Sequence, residues 1–143
     1  MEQSLENLLS LKTIPDEATS REHTLFFDEE HDCVISEWQG FVSKQLLITG
    51  AIQGLHLLKQ HNCTNMLIDQ RRVHGTWADL SDWQQYIWLP NALQAGLKKY
   101  ALVATFGSYS ALTMEGSFER LGDKLEIMLF SDLDEAKNWL AGL

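Results

Sequence analysis

Between positions 69 and 82 the chain gathers Asp69, Arg71, Arg72, His74, Thr76, Trp77, Ser81 and Asp82, a dense set of polar and aromatic groups for a protein with 11 basic residues. Arg71 and Arg72 can each grip a carboxylate or a phosphate through two parallel N–H bonds, which a lysine cannot do. The plainer arrangement is that one of them pairs with Asp69 and the other is solvated. His74 is the one histidine placed where a ligand would sit, and an imidazole titrates near neutrality. An ordinary loop histidine is the alternative. Ser81 reads both as a helix cap and as a phosphoacceptor. A phosphate there would meet the positive end of a helix and Arg71 or Arg72, while Asp82 would oppose it. Trp77 and Trp83 flank the candidate edge, where aromatic surface anchors a partner or a small ligand.

Other chemistry lacks its residues. There is no glycine-rich phosphate loop, no nucleophile elbow and no paired-carboxylate spacing, so the expectation is a protein without catalytic residues. His23, His31, His56 and His61 lack the i, i+4 spacing that sets two imidazoles on one metal, and Cys33 and Cys63 have no ligand spacing for zinc. The expectation is no metal, no cofactor and two buried, reduced thiols. With 20 acidic residues against 11 basic ones the 143-residue chain carries a formal charge of −9, which repels phosphate backbones and argues against nucleic acid. No apolar stretch approaches the ~20 residues that span a bilayer, and Met1-Glu2-Gln3 lacks the basic start of a secretory signal. The expected setting is cytoplasmic, without membrane insertion.

The elements that must position these groups follow from periodicity. With 45% hydrophobic residues, five Trp and two Pro, the chain has the material for one packed core. Residues 1–22 read as an N-terminal extension, a short helix ending at Pro15 and then a loose polar connection. Residues 23–143 read as a single domain. Thr24–Phe27 and Cys33–Trp38 make an antiparallel hairpin. Ser43 caps a helix over 43–61, and Asn65–Asp69 is a short strand covered on both faces. A helix opens at Ser81-Asp82, is kinked or broken at Pro90 and stops at Gly96. Ala101–Phe106 is a further strand, 111–121 a helix, Leu125–Phe130 the last strand, and Ser131 caps a final helix. The order β-β-α-β-α-β-α-β-α predicts an α/β domain with a mostly parallel or mixed five-stranded sheet. In such sheets ligands lie beyond the carboxyl ends of the strands, which selects 69–82, 105–111 (with Ser108, Tyr109 and Ser110) and 130–132.

This order of elements resembles the STAS domain, named for sulfate transporters and anti-sigma-factor antagonists. Several strings are similar to its small stand-alone bacterial branch: Trp38-Gln39-Gly40-Phe41, Leu67-Ile68-Asp69 followed by Arg71, Trp88-Leu89-Pro90, Ala95-Gly96-Leu97-Lys98-Lys99, and the closing 130–140. The resemblance spans 24–142. In the anti-sigma-factor antagonists a serine after the third strand, within Asp-Ser-Ser/Thr-Gly, is phosphorylated by a partner kinase. That string is not present, and Ser81 is its nearest positional counterpart. The resemblance implies a non-enzymatic regulatory or protein-interaction domain using 71–88 as its contact surface. The alternative is a sensor holding a small anionic or lipid-like ligand between 71–82 and 105–111. A homodimer through the N-terminal segment or an uncovered edge strand is compatible with both.

Overall fold

The computed structural model describes residues 17–19, 21–74, 81–105 and 125–143. Its centre is the expected mixed α/β sheet. The hairpin is β2 (His23–Asp28) and β3 (Cys33–Gly40), paired antiparallel, with His23 opposite Trp38 and Asp28 opposite Cys33. β4 (Asn65–Val73), β5 (Lys99–Val103) and β6 (Glu126–Phe130) then add in parallel, each beside the one before. One short strand lies outside the expected five. β1 (Glu17–Thr19) pairs antiparallel with β2, so part of the stretch that reads as a loose connection joins the sheet, where β2 would otherwise present an unpaired edge. The strand order is strictly sequential. The helix expected before Pro15 and the one expected over 111–121 lie outside the described residues.

Because successive parallel strands step in one direction, crossovers of one hand lay their helices on one face. α1 (Lys44–Gln60) and α2 (the helical segment 81–94) both pack there, and Ile52, Leu55, Trp88 and Leu89 meet Val34, Met66 and Leu102. α3 (Leu133–Ala141) covers the other face, setting Ala136 and Leu140 on Cys33, Ile35, Leu67 and Val103. The alternation of the strands sorts the two sets.

The caps explain the helix limits. Ser43 accepts the Leu46 N–H at 3.1 Å, as its sequence position suggests. α1 ends with Asn62 at φ 50°, its N–H on the Lys59 carbonyl and the Cys63 N–H on that of Leu58. Gly96 ends α2 in the same manner, with bonds to Leu93 and, from Leu97, to Ala92. At α3 the cap is Asp132, which accepts the Glu135 N–H, and not Ser131; the helix starts one residue later than its sequence suggests. Nor does Pro90 break α2. Pro90 has no N–H to donate and crowds the carbonyl four residues back. The helix absorbs this in a π turn over Gln84–Trp88, where the Leu89 N–H reaches the Gln84 carbonyl. The Asn91 side chain donates to the Ile87 carbonyl at 2.7 Å, satisfying an acceptor beside the irregular turn.

Packing is close over the end of the hairpin. His23 stacks on Trp38 with ring centroids 3.7 Å apart, and its Nε2 is 2.7 Å from the Ser36 hydroxyl. α1 passes over this stack at Gly50, where a Cβ would lie 2.8 Å from the His23 ring and closer still to Trp38. Only glycine permits that approach. No helix among the described residues is long and apolar enough to cross a membrane.

Candidate functional site

β4 is longer than its sequence suggests, and the extra length makes the site. Asn65–Asp69 pair with Lys99–Val103 of β5, but the strand continues through Gln70–Val73 with β3 as its only partner among the described residues, Arg72 opposite Gln39 and Val73 opposite Gly40. Arg71 and Arg72 therefore sit on a strand that overhangs β5, and not in a connection as expected. The run Gln70-Arg71-Arg72 reads as loop because an overhang, exposed where β5 stops, tolerates charge as a covered strand does not. The ligand rule applies here through this ledge, since a sequential strand order contains no reversal to open a crevice.

Within the overhang the register slips. Glu37 faces Asp69 but Gln39 faces Arg72, so β4 carries one extra residue, a bulge. It moves Arg72 onto the side of the sheet that holds Glu37, Gln39 and Asp69. The Asp69 carboxylate, buried at 8% exposure, fastens the bulge. It accepts the Arg71 backbone N–H at 3.2 Å and takes the Arg71 guanidinium in a fork, from Nε at 2.9 Å and from Nη2 at 2.8 Å. The hydrogen bonds to Asp69 hold the Arg71 pKa above its ordinary value against partial desolvation, and the charges of Asp69, Asp132 and Glu37 add to the effect. Arg71 is thus a structural partner of Asp69. Arg72 pairs with no described carboxylate.

Two connected clefts open at this end of the sheet, of about 240 Å³ and about 520 Å³. Arg21, Glu22, Gln39 and Arg72 line both. The smaller adds Glu37 and Asp69, and the larger adds Gly40, Phe41 and His74. Three hydrogen bonds fix the walls: the Gln39 N–H to the Glu22 carbonyl at 2.9 Å, the Gln39 side chain to the Arg21 carbonyl at 2.8 Å, and the His74 N–H to the Gly40 carbonyl at 3.0 Å. Gly40 turns the chain out of β3 at φ +76°. Phe41 follows it, 82% exposed, with the His74 ring 5.3 Å away between centroids. Sequence reasoning missed Arg21, Gln39 and Phe41 as site residues. The hairpin register held the signal, because a chain entering β2 opposite Trp38 must bring the residues before it to the end of β3.

The remaining expected residues lie elsewhere. Trp83 is part of the π-turn helix and faces an apolar cavity with Trp38, Trp88 and Tyr100 on the α1/α2 face. At about 40 Å³ that cavity has room for a water or two and not for a ligand of ordinary size. Among the described residues three side chains hold enclosed polar atoms without a hydrogen-bond partner: His56 at Nε2, Gln70 at its amide, which is 1% exposed, and Trp83 at its indole N–H. Trp77 and the 106–111 turn are outside the described residues, and Ser81 is described only as the first residue of α2. Cys33 and Cys63 are free and buried, and burial, aided by the Asp28 charge, pushes the Cys33 thiol up to about 12. Asp28, Glu30 and His31 bring three potential ligand atoms within 4.8 Å of one another. The Asp28 carboxylate there accepts the N–H groups of Glu30 and His31 and lies 3.8 Å from the Lys137 ammonium, an arrangement that closes a turn.

Compared with models of known protein families and with curated proteins, the chain matches none.

Proposed function

We propose that this chain is a non-enzymatic, cytoplasmic interaction domain of the STAS type, which engages an acidic partner through the ledge where β3 and β4 outrun β5. One observation carries the reading. In a chain of charge −9, Arg21 and Arg72 line one cleft without an ion pair to any described carboxylate. Arginines on an acidic surface normally find an acid, as Arg71 does two residues from Asp69. The exposed Phe41 at the rim supplies the aromatic contact that interfaces favour. Beside the carboxylates of Glu22 and Glu37, the cleft offers two guanidinia and an aromatic face, which suit recognition of an acidic group.

The test is retention of a co-purifying protein by tagged chains expressed in the native cells. The charge reversal Arg72→Glu should lose a partner that the wild type and Lys59→Glu, on the far end of α1, both keep. Equal retention by all three would remove this surface from the reading. The second reading, a sensor for a small anionic ligand, draws support from the larger cleft, whose 520 Å³ falls within the size range of ligand sites. Its place is then beside β2 and β3.

A further inference from the structure

We infer that the group this cleft recognises is a phosphate monoester and not a carboxylate; the inference rests on the reading of the ledge as a site for an acidic partner. The molecule contains its own standard for carboxylate recognition. Asp69 is satisfied by one guanidinium, in a fork, together with one backbone N–H. The neighbouring cleft adds two further guanidinia, Arg21 and Arg72, and the His74 imidazole; its carboxylates are Glu22, which lines both parts, and Glu37 and Asp69 in the smaller part, the last already paired with Arg71. A phosphate monoester has three terminal oxygens and a charge of about −1.5 to −2 near neutral pH, enough to meet both forks with one oxygen shared and still offer a lone pair to His74.

Placement supports the same group. Arg72 is on the side of Glu37 and Gln39 only because β4 carries its extra residue, and Asp69 holds that residue in place. The Arg21 and His74 backbones are tied to the end of β3 by the hydrogen bonds of Gln39 and Gly40. Arg21 and the pair Arg72 and His74 are therefore carried on two segments, each tied to the end of β3, and little ordering of the backbone remains to be done on binding. The ring of Phe41 stands at the mouth, where it can cover the carbon skeleton that bears the phosphate.

Isothermal titration calorimetry with phenyl phosphate, inorganic phosphate and benzoate tests this on the full chain. Phenyl phosphate should bind saturably and at least about tenfold more tightly than benzoate. Arg21→Ala and Arg72→Ala should each weaken it roughly ten- to a hundredfold, the usual worth of a charge-assisted pair. Phe41→Ala should weaken phenyl phosphate about threefold and leave inorganic phosphate unchanged. Lys59→Ala, at the far end of α1, is the comparator and should retain binding; Arg72→Lys, which keeps the charge and loses the fork, should fall between wild type and Arg72→Ala. A phosphotyrosyl peptide binding more tightly than phenyl phosphate places the ester on a partner chain, and equal binding places it on a free small molecule. Benzoate binding as well as phenyl phosphate, no saturable heat up to about 10 mM ester, or unchanged binding by the Arg21 and Arg72 variants would overturn the inference. Failure of the two readings is separable: partner retention that needs Arg72 without ester binding removes the phosphate alone, and ester binding without Arg72-dependent retention removes the protein partner alone.

Discussion

The first halves of β3 and β4 are sealed on both faces, while their last residues stand open, although the two strands remain paired to the end. Val34, Ile35, Met66 and Leu67 are buried between α1 and α3; Gln39, Arg71 and Arg72 are exposed. The strands do not make this difference by themselves. β5 stops at Val103, opposite Asp69, and with it ends the neighbour that keeps β4 covered on both edges. Dry packing and polar recognition are thus parts of one pair of strands, separated by the length of a third. Changes on the sealed side should act on stability, and changes on the ledge should act on binding.

The largest effect belongs to the sealed side. Gly50→Val forces side-chain atoms into the His23–Trp38 stack and should cost roughly 3 kcal/mol in urea unfolding, the upper range for overpacking a core. Gly54→Ala, four residues on, meets the flexible end of Met66 at 3.4 Å and gains about 1 kcal/mol of helix propensity, so it should be close to neutral or stabilising. Equal losses at both positions would mean that the close approach of α1 is not specific to the stack.

The next effect is a pH dependence from the same stack. Burial lowers the His23 imidazole from 6.5 to about 4, and burial and the Lys59 charge lower His56 in the same direction. Below 6.5 the unfolded chain takes up a proton that the folded chain refuses, so stability falls as pH falls through the window from 6.5 to 4. Between pH 7.5 and 5 the His23 contribution should fall by about 2 kcal/mol. His23→Gln should flatten that part of the profile, whatever it does to stability at pH 7.5. A wild-type profile that His23→Gln leaves unchanged would place the proton uptake elsewhere.

The contrast between sealed and open regions also explains what could be read from the chain alone. Periodicity located α1, the hairpin and the buried strands because packing on both faces leaves a strong apolar signal, as in Asn65–Asp69. The limits set by neighbours were not legible. Gln70–Val73 read as a connection, because their partner β3 lies far away in sequence and their charges resemble those of a loop. Likewise Glu17–Thr19 gains strand structure only from β2's free edge. At the site, Asp69, Arg71, Arg72 and His74 were visible as a group, but their division into a closed pair and an open cleft depends on one extra residue in β4. Arg21 and Phe41 belong to segments distant in sequence, and only the fold brings them to Arg72 and His74.

Two changes on the ledge decide most about its reading, since its two arginines are sequence neighbours with opposite surroundings. Asp69→Asn removes one side of a fork whose carboxylate is nearly buried, and it should cost about 1.5–3 kcal/mol, as expected for losing hydrogen bonds to a charged group. Because Asp69 fastens the bulge, the same change should also weaken phenyl phosphate binding by loosening the placement of Arg72. Arg72→Ala exposes no buried partner and should leave stability within about 0.5 kcal/mol of wild type in urea unfolding, while it weakens phenyl phosphate binding roughly ten- to a hundredfold. The pair of results separates holding from recognition. If Arg72→Ala destabilised the protein as much as Asp69→Asn, Arg72 would be part of the scaffold, and the cleft would lose the charge on which its reading depends.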